Sequence, residues 1–93
     1  MTLALTGLSH HTSPLALRER MTLNPGRVPE ALALLHAALG PDSGIALLST
    51  CNRIELYACC KESAQETHNI LVKFLGTLYH LSESEFSGFL YHK

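Results

Sequence analysis

Ile45-Ala46-Leu47-Leu48-Ser49-Thr50-Cys51-Asn52-Arg53-Ile54-Glu55-Leu56-Tyr57-Ala58-Cys59-Cys60 holds two extended segments joined at a short polar turn. Ile45 to Ser49 is a near-continuous apolar run, which predicts a buried central strand. From Arg53 the pattern alternates strictly, with Ile54, Leu56, Ala58 and Cys60 on one side and Arg53, Glu55, Tyr57 and Cys59 on the other. Thr50 to Asn52 falls at the reversal between two neighbouring strands.

The flanking segments supply the remaining elements. Leu3 to Ser9 reads as a strand. Ser13-Pro14 gives a helix cap and a first-turn proline, with a short helix over Leu15 to Arg20. Asn24-Pro25 repeats that signal. Val28, Ala31, Leu32, Leu35 and Leu39 then keep the spacing of one helical face. Pro29 predicts a loose or 3₁₀ first turn with regular helix from about Pro29, and Gly40-Pro41 ends the helix. Ser63 and Glu66 suggest a capping box opening a helix with the stripe Ile70, Leu71, Phe74, Leu75 and Leu78. Ser82 to Glu85 predicts one more helical turn, and Gly88 to Tyr91 a final strand. The order predicts an α+β domain with a ferredoxin-like βαββαβ antiparallel sheet and helices packed on it.

Composition narrows the function classes. The 93 residues make one small domain, and 46% hydrophobic content fits an ordinary globular chain. No apolar stretch approaches the roughly 20 residues of a membrane span. With no basic, apolar leader at Met1, a cytoplasmic location is expected. Seven Lys and Arg against eight Asp and Glu leave a formal charge of −1, with the basic residues scattered. A nucleic-acid partner would therefore have to be gripped largely elsewhere. Cys51, Cys59 and Cys60 lack disulfide-framework spacing, and adjacent Cys59 and Cys60 point to opposite faces, so reduced thiols are expected. No G-x-G-x-x-G, P-loop or metal-ligand spacing occurs, and the six histidines form no ligand set.

Cys51 stands out because it sits in polar company. A packing cysteine usually has apolar neighbours, whereas a nearby cation such as Arg53 favours the thiolate. Arg53 carries a bidentate fork suited to a substrate carboxylate or carbonyl, and Thr50 and Asn52 could bind polar substrate groups or serve only as turn residues. Arg53 and Glu55 share a face and could equally be a weak surface pair. His92, beside Tyr91, reads as either a solvated terminal histidine or a partner of the thiol. A stand-alone ferredoxin-like binding or regulatory module with a non-catalytic cysteine is the competing reading.

Three stretches resemble the N-terminal catalytic domain of the glutamyl-tRNA reductase family. Gly7-Leu8-Ser9-His10-His11-Thr12-Ser13-Pro14 is similar to its G-x-[NS]-H-[KH]-T-[AS]-P opening, and Leu17-Arg18-Glu19-Arg20 to the L-R-E-[RK] continuation. Leu48 to Tyr57 resembles the L-S-T-C-N-R-x-E-x-Y signature almost letter for letter. Tyr91-His92 falls where the family has a Y-x-H type motif, one residue tighter here. The resemblance covers the whole chain. It implies an enzyme of tetrapyrrole (porphyrin) biosynthesis that reduces glutamyl-tRNA(Glu) to glutamate-1-semialdehyde with NADPH. On that resemblance Cys51 is the nucleophile that forms a thioester, Thr50, Asn52 and Arg53 lie in the substrate-binding segment, and His92 matches a histidine important for activity. Residues 1–93 would then be the substrate domain. The NADPH-binding and dimerisation domains are absent from this chain, and no metal is called for. A homodimeric full-length enzyme and a partnership with glutamate-1-semialdehyde aminotransferase are further implications. A fragment of this kind is not expected to complete the reduction by itself.

Overall fold

The computed structural model describes residues 2–21, 25–50 and 52–93. Strand β1 (Thr2–Ser9) leads to helix α1 (Leu15–Arg20), a 3₁₀ turn (Pro25–Arg27) and helix α2 (Val28–Leu39). Strands β2 (Gly44–Ser49) and β3 (Arg53–Cys60) follow. Helices α3 (Ala64–Tyr79) and α4 (Glu83–Phe86), a 3₁₀ turn (Ser87–Phe89) and strand β4 (Tyr91–His92) complete the chain. The sheet order is β2-β3-β1-β4 with every described pairing antiparallel, the order of a ferredoxin-like sheet.

Register fixes which residues share a face, because directly opposed residues of an antiparallel pair point the same way. Ala4, Thr6 and Leu8 of β1 oppose Ala58, Leu56 and Ile54 of β3, and all six are buried. The helices cover this face. Leu35 of α2 and Leu71 and Leu75 of α3 are almost fully buried in the same cluster, joined by Met21 and Phe86. Each such side chain contributes about 1.5–3 kcal/mol of transfer free energy, so this layer carries the domain's stability. Among the described residues, no helix lies over the opposite face.

The helices obey the sequence periodicity closely. The 3₁₀ turn at Pro25–Arg27 precedes regular helix, as the extra proline at position 29 requires. Ser63 caps α3, its hydroxyl accepting from the Glu66 N–H at 3.2 Å.

Four local expectations are corrected. β2 is an edge strand rather than a central one, and its residues alternate between exposed and half-buried. Its apolar run reflects one face on the helices and one on the open side. The last strand begins only at Tyr91, since β1 offers it pairing at Thr6 and Gly7, while Ser87 to Phe89 form a 3₁₀ turn. Ser13 does not cap α1; Pro14 occupies that position, and the Ser13 hydroxyl donates to the Ser9 carbonyl at 2.6 Å. The reciprocal carboxylate contact of a capping box occurs at α4, where the Ser82 N–H donates to Glu85 at 2.7 Å. Asn24 lies outside the described residues.

Candidate functional site

The open face of the sheet gathers residues from all four strands at one end. Leu48, Glu55, Gly7 and Tyr91 form one row across β2, β3, β1 and β4. Arg53 opposes Ser9 in the next row toward the β2–β3 turn, and Tyr57 opposes Leu5 on the other side. Ser9, Thr12, Arg53, Glu55, Tyr91 and Lys93 line a concavity of about 380 Å³.

Glu55 is the centre of this arrangement. It is 5% exposed although it sits on the uncovered face. Gly7 makes that possible, since a Cβ there would lie 2.6 Å from the Ile54 carbonyl oxygen and 2.9 Å from Glu55 Cγ. With only hydrogen at Gly7, the carboxylate lies flat against β1 and meets the tyrosine on the far strand. Tyr91 donates its hydroxyl to Oε2 at 2.6 Å, and Tyr57 donates to Oε1 at 2.7 Å. Arg53 Nη1 approaches Oε1 at 3.7 Å.

The energies rank these partners. Short hydrogen bonds to a buried carboxylate are charge-assisted, roughly twice as strong as neutral ones. The Arg53 side chain is half-exposed, so its ion pair is solvent-screened and weak. The tyrosines therefore hold Glu55, and Arg53 leans on a fixed anion. The Tyr91 hydroxyl keeps the Glu55 carboxyl below its ordinary range, against burial that pushes it up, with Tyr57, Arg53 and Lys93 adding to the lowering. Tyr91 in turn is pushed up to about 12 by burial and by its bond to Glu55. Tyr57 is raised by Glu55 first and by burial second.

The turn beside this cluster is built by hydroxyls. Thr50 N–H donates to the Arg53 carbonyl at 2.9 Å, and Thr50 Oγ1 accepts from the N–H groups of Arg53 and Asn52 at 3.1 and 3.2 Å. Thr50 thus shapes the turn, while Asn52 is exposed with its carbonyl accepting the His10 N–H at 2.8 Å. On the β1 side the Ser9 carbonyl accepts from Thr12 N–H and Ser13 N–H, both at 3.0 Å, which winds His10 to Ser13 tightly beside the turn. Ser9, Thr12, Thr50, Asn52 and Arg53 therefore lie close together at this end of the sheet.

The sequence-derived site residues divide. Thr50, Asn52 and Arg53 lie together at this end of the sheet. Cys51 lies outside the described residues. His92 is in β4 but faces the helix side, where its Nδ1 is 2.8 Å from Thr6 Oγ1 and its ring lies against that of His68 of α3, tilted by 47° with centroids 4.6 Å apart. Burial, and secondarily His68, lower its pKa. Arg53 and His92 thus occupy opposite faces of the sheet. Glu55, expected as a possible weak surface pair with Arg53, is buried because Gly7 and Tyr91 close over it. Gly7, Ser9 and Tyr91 join the site although the sequence pattern assigns none of them a chemical role. The physical signal for Gly7 is a glycine inside a strand, which marks close approach by a neighbour.

Among the described residues no group of three or more His, Cys, Asp or Glu side chains is gathered to hold a metal, and no helix is long and apolar enough to cross a membrane. The turns from β1 to α1 and from β3 to α3 contain no glycine, and no two strands pair in parallel among the described residues. These residues therefore do not fit a dinucleotide, which needs close backbone approach at a glycine-rich strand-to-helix turn. Residues 6–93 match the family described as glutamyl-tRNA(Glu) reductase, N-terminal domain. The match spans both the strand carrying Gly7 and the strand carrying Glu55, the two that build the open-face cluster. On that coverage the chain belongs to the glutamyl-tRNA reductase family.

Proposed function

We propose that this chain is the acyl-transfer domain of a glutamyl-tRNA reductase in tetrapyrrole biosynthesis. Its substrate is the ester that joins glutamate to the terminal ribose of its tRNA. The observation that carries the reading is the cationic concavity beside the β2–β3 turn, where Arg53 stands over buried Glu55 next to Thr50 and Asn52.

Cys51 Sγ, as thiolate, attacks the ester carbonyl carbon. The carbon–oxygen bond to the ribose breaks, the ribose oxygen leaves and takes a proton from water, and a glutamyl thioester remains on Cys51. An aminoacyl ester is already activated, so a thiolate with polarising donors suffices without a dedicated strong base. Arg53 recognises the side-chain carboxylate of the glutamyl group through its free edge. Thr50 and Asn52 hold the turn and its exposed polar groups against the substrate. Lys93 adds a second positive charge at the rim of the cavity. His92, on the other face, contributes through the placement of β4. NADPH, the reductant the family implies, belongs to a part of the enzyme beyond these residues.

The test is competitive thiol labelling. Iodoacetamide near neutral pH modifies Cys51 before Cys59 and Cys60, and glutamyl-tRNA slows the modification. Cys60 is 1% exposed, so its protection needs no activation argument; the informative comparison is with half-buried Cys59. Labelling of Cys51 no faster than Cys59, and unaffected by glutamyl-tRNA, would favour a binding module with an inert cysteine.

A further inference from the structure

We propose that Tyr91 and Glu55 are positioning residues that set substrate selectivity through Arg53, an inference that rests on the acyl-transfer reading above. Neither touches the reacting atoms. Their hydrogen bonds hold the buried Glu55 carboxylate on the open face, and that anion, 3.7 Å from Arg53 Nη1, biases where the half-exposed guanidinium rests.

The geometry makes the relay directional. A carboxylate held by one donor can rotate about its terminal bond. Glu55 has a donor on each oxygen, Tyr91 on Oε2 and Tyr57 on Oε1, and rests on Gly7 below. Rotation is therefore blocked, and Oε1 stays where Arg53 Nη1 finds it. An arginine has five donors in a planar fork, so with only Nη1 near Glu55 the other N–H groups can meet a ligand carboxylate. The two hydroxyls also draw off the charge of Glu55. An incoming carboxylate then meets Arg53 and Lys93 at the cavity wall instead of a bare anion.

Tyr91 reaches this role from the far edge of the sheet. Its row partner Gly7 has no side chain, so the phenol crosses β1 without obstruction. Lys93 Nζ lies 5.9 Å from the Tyr91 ring centroid, which keeps the second cation on the same side of the cavity. In the Tyr91-His92 pair, the side chain that serves the open-face cavity is thus the tyrosine.

The experiment measures acylation of Cys51 in the intact protein by glutamyl-tRNA and by glutaminyl-tRNA, which carries a neutral amide in place of the carboxylate. Wild type is expected to prefer the glutamyl ester. Tyr91→Phe should lower that preference about tenfold, the size of one charge-assisted hydrogen bond. The half-saturating concentration for glutamyl-tRNA rises while the saturating rate stays within about twofold, as expected for a lost binding contact. Glu55→Gln should lower the preference similarly, and the double variant no further than Glu55→Gln alone. Because Tyr91→Phe also disturbs a short strand, Glu55→Gln and Tyr57→Phe, which leave β4 intact, provide an independent route to the same ratio. Equal loss with both esters, or an unchanged ratio in folded Glu55→Gln, overturns the relay. Absence of any acylation in wild type instead removes the acyl-transfer reading, and the relay with it.

Discussion

Replacing Gly7 by alanine tests the packing that buries Glu55. The new methyl would stand 2.6 Å from the Ile54 carbonyl oxygen and 2.9 Å from Glu55 Cγ, well inside the 3.4–4 Å of ordinary contact. The carbonyl belongs to a central strand paired on both sides, so it cannot swing away, and the Glu55 side chain must yield. Overpacking of this kind costs about 1–3 kcal/mol. Displacing the carboxylate from Tyr91 adds about 1.5–3 kcal/mol for a hydrogen bond to a charged group. Reduced freedom of the unfolded chain returns about 0.4–1 kcal/mol. The net loss is about 2–5 kcal/mol, a large share of the roughly 5–15 kcal/mol that holds a domain together. Urea unfolding followed by circular dichroism reads this directly. Gly44→Ala is the control, since a Cβ there meets only Cys59 Cβ at 3.9 Å and should change stability by less than about 1 kcal/mol. If Gly7→Ala costs no more than Gly44→Ala, or if Tyr91 keeps its titration in Gly7→Ala, the account of Glu55 burial is wrong.

Acid should destabilise the wild type more than Glu55→Gln. The folded carboxyl lies below its ordinary value of 4.5, so its contribution is present above that value and is lost as pH falls through the folded one. Urea midpoints compared between neutral pH and about pH 3 check the difference, and parallel shifts in the two proteins would contradict it. At alkaline pH the sign reverses. Tyr91 and Tyr79 are pushed up to about 12, so the stability they contribute is present below pH 10 and lost as pH rises toward 12. Phenolate absorbance of the folded protein should therefore develop well above pH 10, and a full tyrosine titration at pH 10 with the fold intact would refute this. Ser63→Ala removes the hydroxyl that accepts the Glu66 N–H and should cost about 1 kcal/mol by thermal or urea unfolding, with no change in Cys51 labelling.

Periodicity carried the helices and β3 because their buried faces repeat locally. The spacing of Ala31, Leu35 and Leu39 is a property of α2 alone, and the second proline announced the 3₁₀ turn before it. β2 differs from its sequence expectation for a physical reason. Ile45 to Leu48 is apolar on both sides, and a run of that kind looks the same whether its second side is covered by helices or lies on an open sheet face. β4 starts later than its apolar pattern suggests because its length depends on what β1 offers it, which no local pattern records. The candidate site divides along the same line. Arg53 and Thr50 were visible as chemistry near Cys51. Glu55 was visible only as the neighbour of Arg53, since its burial comes from Gly7 on another strand and from Tyr91, 36 residues away in sequence. His92 drew attention as a titratable group, but strand alternation turns its side chain away from the face that Tyr91 and Lys93 share.

The most direct measurement of the central claim is mass spectrometry of the intact protein after brief incubation with glutamyl-tRNA and without reductant. The account predicts one glutamyl adduct that maps to the peptide containing Cys51, is removed by hydroxylamine, appears together with an equivalent amount of uncharged tRNA, and is absent in Cys51→Ala. An adduct on another residue, or tRNA release without an adduct at any time point, would contradict it.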